Sequence, residues 1–204
     1  HRERYENVET MHKCAVGYSL GGNLAQYILI QEEVLEGQCL LELPSDDMSY
    51  YEVSMAEPIS CIYSAQERNY HIYKDGPHGQ RQPRLGMLKD GVSVVIGAGS
   101  MGRMHAEMAL RFSPAVLIVS DLQQERLDVV QKNIAQKAKE KNCRLVTVLA
   151  DKLDDAVQKE SKGLGADDII LAVGVNPVQQ HGLSLLGRGG VANLFGGLPK
   201  GKHI

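Results

Sequence analysis

From residue 91 onward the chain settles into short apolar runs separated by amphipathic stretches. The runs at 92–96, 116–120, 145–149, 168–173 and 191–195 predict strands, and 101–112, 123–141, 153–162 and 177–187 predict helices. The runs are nearly continuous in apolar residues, as expected of strands covered on both faces. Strands alternating with helices of this length imply right-handed crossovers and a parallel sheet, so the predicted class is α/β with a doubly wound sheet.

The first ninety residues are less regular. Leu24 to Ile30 is strand-like, and Leu40 to Leu43 is a second apolar run closed by Pro44. Ser49-x-x-Glu52 is a capping box, and Val53, Ala56 and Ile59 continue a helical apolar face to about residue 65. Pro58 should kink that helix or mark its true first turn. The stretch 70–89, rich in proline, glycine and mixed charge, reads as a linker or surface insertion. The predicted division is 1–65, a linker or insertion at 66–90, and an α/β domain at 91–204.

Composition narrows the classes. The net charge of −3 over 204 residues argues against a dedicated nucleic-acid partner. Lys132, Lys137, Lys139 and Lys141 read as a solvated helix face. Cys14, Cys39, Cys61 and Cys143 contain no C-x-x-C, which points to reduced thiols and a cytoplasmic setting. No apolar run approaches the ~18 residues of a membrane span. The chain opens on His1 and closes on Ile204 just after a Gly-rich turn, which reads as an internal piece of a longer protein.

The chemistry concentrates at one turn. Val92 to Ile96 runs directly into Gly97-Ala98-Gly99-Ser100-Met101-Gly102, a G-x-G-x-x-G between a strand and a helix. Gly97 permits the tight turn, Gly99 lets backbone approach a pyrophosphate, and Gly102 allows close helix packing. Ser100 and Met101 open the helix, whose N–H groups and positive dipole end would face the phosphates. Asp121 ends the second strand, 19 positions after Gly102, where it can accept bonds from the adenosine ribose. A 2′-phosphate would be repelled there, so NAD is expected over NADP, although nearby Arg126 keeps NADP open. The bland alternative for Asp121 is an N-cap for helix 123–141. Asp151 after the third strand, Val173-Gly174 after the fourth and Phe195-Gly196 after the fifth are further candidates at the same edge, or plain turn chemistry. An S-adenosylmethionine-dependent methyltransferase is the rival for such a turn; Gly102 favours the dinucleotide.

These motifs together resemble the medium-chain dehydrogenase/reductase superfamily of zinc-dependent alcohol and polyol dehydrogenases. Gly21-Gly22-Asn23-Leu24-Ala25-Gln26-Tyr27 resembles its G-G-F-A-E-Y segment, and Ala56-Glu57-Pro58-Ile59-Ser60-Cys61 its A-E-P-L-S/A-C helix. The glycine turn resembles its G-A-G-P-I-G, and Asp121 with Arg126-Leu127 its D-x-x-x-x-R-L. Gly165-Ala166-Asp167, Val173-Gly174 and Gly187-Arg188-Gly189-Gly190 complete the order. The insertion at 70–89 looks most like the sorbose-1-phosphate reductase branch, where His78, Arg81 and Arg84 could serve a phosphorylated sugar or simply form a solvated loop.

The resemblance implies the end of a GroES-like catalytic barrel followed by a Rossmann domain. It also implies hydride transfer between NAD(P) and a polyol, sugar or sugar phosphate, with zinc as Lewis acid, and a homo-oligomer. The family's Cys and G-H-E zinc segment is absent from these residues, so the implied metal role rests on Glu57 alone, with helix-start chemistry as its alternative. The remaining lone histidines, His12, His105, His181 and His203, read as surface or packing residues. A non-catalytic nucleotide-binding module is the competing functional class.

Overall fold

The computed structural model describes residues 22, 24–38, 40–74, 76–198 and 201. His12, Cys14, Gly21, Asn23, Cys39 and His203 lie outside the described residues. The chain divides into two compact units, residues 1–56 and 57–204.

In the first unit the described residues form α1 (Glu32–Glu36) and α2 (Tyr50–Ser54). The capping box at α2 is present: Ser49 N–H donates to Glu52 Oε2 at 2.9 Å, and Glu52 N–H donates to Ser49 Oγ at 3.2 Å. The strand expected at 24–30 and the run at 40–43 have no regular structure. Their apolar side chains, Leu24, Tyr27 and Leu29 among them, are exposed. A strand's backbone groups need a neighbouring strand, and none among the described residues supplies one.

The second unit is built on α3 (Ala56–Glu67), whose first turn holds Pro58, where a missing N–H costs nothing. Residues 70–89 depart from the expected linker. They form an antiparallel hairpin of β1 (Tyr70–Lys74) and β2 (Arg81–Leu85). Only His71 of its ten strand residues is buried, so the hairpin carries no alternating pattern to read. Pro83 is tolerated because a two-stranded ladder consists of edges.

There follow β3 (Val92–Ile96), α4 (Ser100–Ala109), β4 (Val116–Asp121), α5 (Gln124–Glu140), β5 (Arg144–Leu149), α6 (Leu153–Glu160), β6 (Ala166–Leu171), α7 (Asn176–Ser184) and β7 (Leu186–Asn193). The five strands β3–β7 pair in parallel in the order β5-β4-β3-β6-β7. The chain therefore runs outward from β3 in one direction and then restarts beside it with β6. This topological switch point is where open α/β sheets bind ligands. The last strand begins earlier than expected, because the Gly-rich 187–190 lacks the side chains that signal a strand.

Two cores flank the sheet. Val95, Leu117, Val119 and Ile170 pack with Ala106 and Ala109 of α4 and Leu127, Val130 and Ile134 of α5. Val94, Ile96, Ile118, Ile169 and Leu171 pack on the other face with Leu153, Ala156 and Val157 of α6. The lysines of α5 are solvated, as expected. Cys61 and Cys143 are free thiols.

A buried polar cluster joins the hairpin to the sheet. Asp168, fully buried in the amino-terminal half of β6, accepts from Asn69 Nδ2 at 2.7 Å and from the Leu88 N–H at 2.7 Å. Its Oδ1 also meets His71 Nε2 at 2.9 Å. That bond raises the His71 pKa above the ordinary imidazole range, against the opposing effect of burial. A raised folded-state pKa gives stability that is complete below about pH 6.5 and is lost as pH rises through the folded value. The denaturant midpoint is expected to fall as pH rises above about 6.5, and His71→Gln should flatten that decline. An undiminished decline in the variant would remove the assignment. Asp168→Ala, which strands the imidazolium, should cost about 3–5 kcal/mol in urea titrations.

Candidate functional site

Each glycine of the turn after β3 sits in a different environment. Gly97 has φ +100°, a conformation that L side chains rarely adopt. A Cβ on Gly102 would stand 1.7 Å from the Gly97 carbonyl oxygen, so α4 can approach this turn only without a side chain there. A Cβ on Gly99, by contrast, would meet nothing within 4 Å. Gly99 is the N-cap of α4 and provides no side-chain cap, and the first bond back to it comes from the Arg103 N–H at 2.9 Å. The N–H groups of Ser100, Met101 and Gly102 thus head a ten-residue helix beside open space. That geometry and the dipole's positive end suit an anion.

Asp121 ends β4 next to this turn and is buried. Its Oδ2 accepts from the Ala98 N–H at 2.7 Å, and its Oδ1 accepts from the Gln123 N–H at 3.0 Å. The N-cap of α5 is Gln123, so Asp121 does not cap that helix. The carboxylate instead ties the glycine turn to the end of β4. A carboxylate has about four acceptor sites, which leaves capacity for hydroxyl donors. Arg126, half exposed, stands with Nη1 3.5 Å from Oδ2.

The other predicted residues share the carboxyl edge of the sheet without forming one bonded set. Asp151 is exposed in a 3₁₀ turn, 150–152, that follows β5. Val173 and Gly174 follow β6, and a Cβ on Gly97 would stand 2.7 Å from Val173 Cγ1, which places the β6 loop against the glycine turn. Phe195 and Gly196 follow β7. The Phe195 ring meets His105 of α4 edge-on, with centroids 4.3 Å apart, so its side chain serves packing.

Glu57 is exposed in the first turn of α3 and accepts from Cys61 Sγ at 3.2 Å, one turn on. No group of three or more His, Cys, Asp or Glu side chains that could hold a metal occurs among the described residues. A zinc ion needs four ligands, or three and a water. The described residues alone do not supply them.

His78 and Arg81 are exposed on the hairpin, and Arg84 stacks over Tyr73 at 4.6 Å. Among the described residues, no hydrogen bond or ion pair joins them to the carboxyl edge. His181 is a surface residue paired with Asp154 at 2.7 Å. His105 is fully buried on α4, and burial pushes its pKa down to about 4. Its Nδ1 and carbonyl oxygen both lie within reach of Gln66 Nε2, at 3.2 and 2.8 Å, a bridge from α3 to α4.

Sequence reasoning missed Gln66, Asn69 and Gln179. A polar side chain at a helical or loop position reads as solvated, and nothing local says that tertiary packing will bury it.

No family model matches the chain. It is 29% identical over 200 residues to L-sorbose 1-phosphate reductase of Klebsiella pneumoniae, covering 92% of this chain and 45% of that protein. It is 28% identical over 197 residues to mannitol-1-phosphate 5-dehydrogenase of Aliivibrio fischeri, covering 90% and 44%. The chain thus spans under half the length of these curated relatives. Its fold matches the crystal structure of galactitol-1-phosphate dehydrogenase from Escherichia coli with a TM-score of 0.62 at 17% identity, covering 93% of this chain and 46% of that one.

The contrast between two glycines gives a test. Gly102→Ala forces a Cβ onto a backbone carbonyl and should destabilise the domain by about 3 kcal/mol or more in denaturant titrations. Gly99→Ala meets no steric obstacle and should change stability by less than about 1 kcal/mol, while weakening NADH binding in calorimetry. Unchanged NADH affinity in Gly99→Ala would show that the open space is not where phosphates lie.

Proposed function

We propose that this chain is a member of the medium-chain dehydrogenase/reductase superfamily and the cofactor-binding part of an NAD-dependent oxidoreductase acting on a polyol, sugar or sugar phosphate. The observation that carries the reading is the uncapped N-terminus of α4, opening on free space at Gly99 beside the buried carboxylate of Asp121. The phosphates of a dinucleotide would take the N–H groups of Ser100, Met101 and Gly102. Asp121, already held rigid by the Ala98 and Gln123 N–H groups, would take the adenosine ribose hydroxyls with its remaining acceptor sites.

A nicotinamide group held at this edge supplies or accepts the hydride. What the chain itself contributes is binding and orientation: a fixed turn, a helix dipole and a carboxylate that disfavours a 2′-phosphate. Arg126 stands 3.5 Å from Asp121 and is half exposed, so the two form only a weak pair. The sugar-phosphate part of the reading is supported by the two curated relatives, whose names specify such substrates. In this reading residues 1–65 are the end of the catalytic domain, Glu57 is the metal-site residue they carry, and the other ligands come from outside the described residues.

Two measurements test this. A dehydrogenase assay of the whole protein with sugar phosphates and polyols should show NAD-dependent turnover that a chelator abolishes. Turnover indifferent to the chelator places the protein with zinc-independent reductases, and NADH binding without turnover leaves only a nucleotide-binding module. Asp121→Ser should weaken NADH by roughly tenfold, the equivalent of about 1.4 kcal/mol, and NADPH by less. An equal loss for both would reduce Asp121 to its structural bond with Ala98.

A further inference from the structure

In a doubly wound sheet the two nucleotides of a dinucleotide lie on opposite sides of the switch point. If Asp121 at the end of β4 takes the adenosine ribose, the ends of β6 and β7 flank the nicotinamide half. The segments there, 172–175 and 195–197, meet backbone to backbone. A Cβ on Gly174 would stand 2.3 Å from the Gly197 carbonyl oxygen, and one on Gly196 would stand 2.3 Å from the carbonyl of Val173. Neither segment has a side chain between them to set their spacing.

Gln179 of α7 reaches both. Its side-chain amide is only 1% exposed as part of the residue, and Nε2 donates to the Val173 carbonyl at 2.9 Å and to the Gly196 carbonyl at 2.6 Å. The amide group has two protons, so one can go to each segment. The orientation follows from the network, because the opposite flip would aim the amide oxygen at two carbonyl oxygens. Oε1 has no partner among the described residues. A buried amide with an unpaired oxygen is unfavourable, and an apolar side chain of similar length would fill the space without it. The bridge between the segments is what the polar head provides.

We propose that Gln179 is a positioning residue that locks the β6 and β7 segments together and thereby shapes the pocket for the nicotinamide half of the cofactor. The inference rests on the dinucleotide reading above, and its test separates the two. Calorimetric titration of the whole protein with NADH and with ADP-ribose, which lacks nicotinamide, isolates that half. Gln179→Met keeps the length and removes both donors. It should weaken NADH on the order of tenfold while changing ADP-ribose by less than about twofold. Gln179→Asn keeps an amide too short to reach both carbonyls and should fall between Met and the wild type. It carries the same comparison if Gln179→Met fails to fold. Parallel losses for both ligands, or no loss in either variant, overturn the positioning role. Wild-type protein that binds neither ligand overturns the dinucleotide reading and the positioning role with it.

Discussion

The candidate nucleotide site depends on one close approach, that of the first turn of α4 to the carbonyl of Gly97. Gly102 makes it possible, since any Cβ there would overlap that oxygen. The consequence is positional. Helix α4 leaves the sheet at the switch point, its first N–H groups beside open space and its apolar face, Ala106 and Ala109, against Val95 and Leu117. A looser turn would lift the helix off this core and move its positive end away from the edge where β4 delivers Asp121. Asp121 in turn bonds the Ala98 N–H, so the carboxylate and the turn hold each other in place.

The two ends of the sheet use buried polar groups for different ends. In the amino-terminal half of β6, Asp168 gathers Asn69, His71 and the Leu88 N–H. This fixes a hairpin that buries almost none of its own apolar surface, with Tyr70, Ile72, Tyr73 and Leu85 all exposed. A hydrogen-bonded cluster replaces the hydrophobic contact that usually docks such an element. At the carboxyl edge Gln179 links two segments too close together to admit side chains. Both oxygens of Asp168 are paired, whereas the Gln179 amide pairs its protons with two carbonyls and leaves Oε1 without a partner among the described residues. Gln66 plays a related part on α3, bonding His105 of α4, whose neutral ring then packs against Phe195.

The resemblance to zinc-dependent dehydrogenases comes down, among the described residues, to Glu57. It stands at the start of α3 with Cys61 one turn away, and the two share a hydrogen bond. The chain spans under half the length of the curated relatives it matches, and the glycine turn with Asp121 is the part of the candidate site with a complete geometry.

The sequence by itself determined the parallel sheet, the glycine turn and the place of Asp121. Strands covered on both faces must be apolar throughout, and a strand-to-helix turn pressed against backbone must be glycine. These demands act on consecutive residues and leave a local record. The tertiary structure alone decided the rest. The segment 24–30 has the composition of a strand but pairs with nothing described, whereas the polar 70–85 forms a hairpin because Asp168, nearly a hundred residues away, bonds it. Likewise β7 begins within glycines that show no strand preference, and Gln179 looks like any solvated helix residue until two distant carbonyls converge on it. A buried polar group is favourable only through its partners, and partners brought together by folding are not adjacent in the chain.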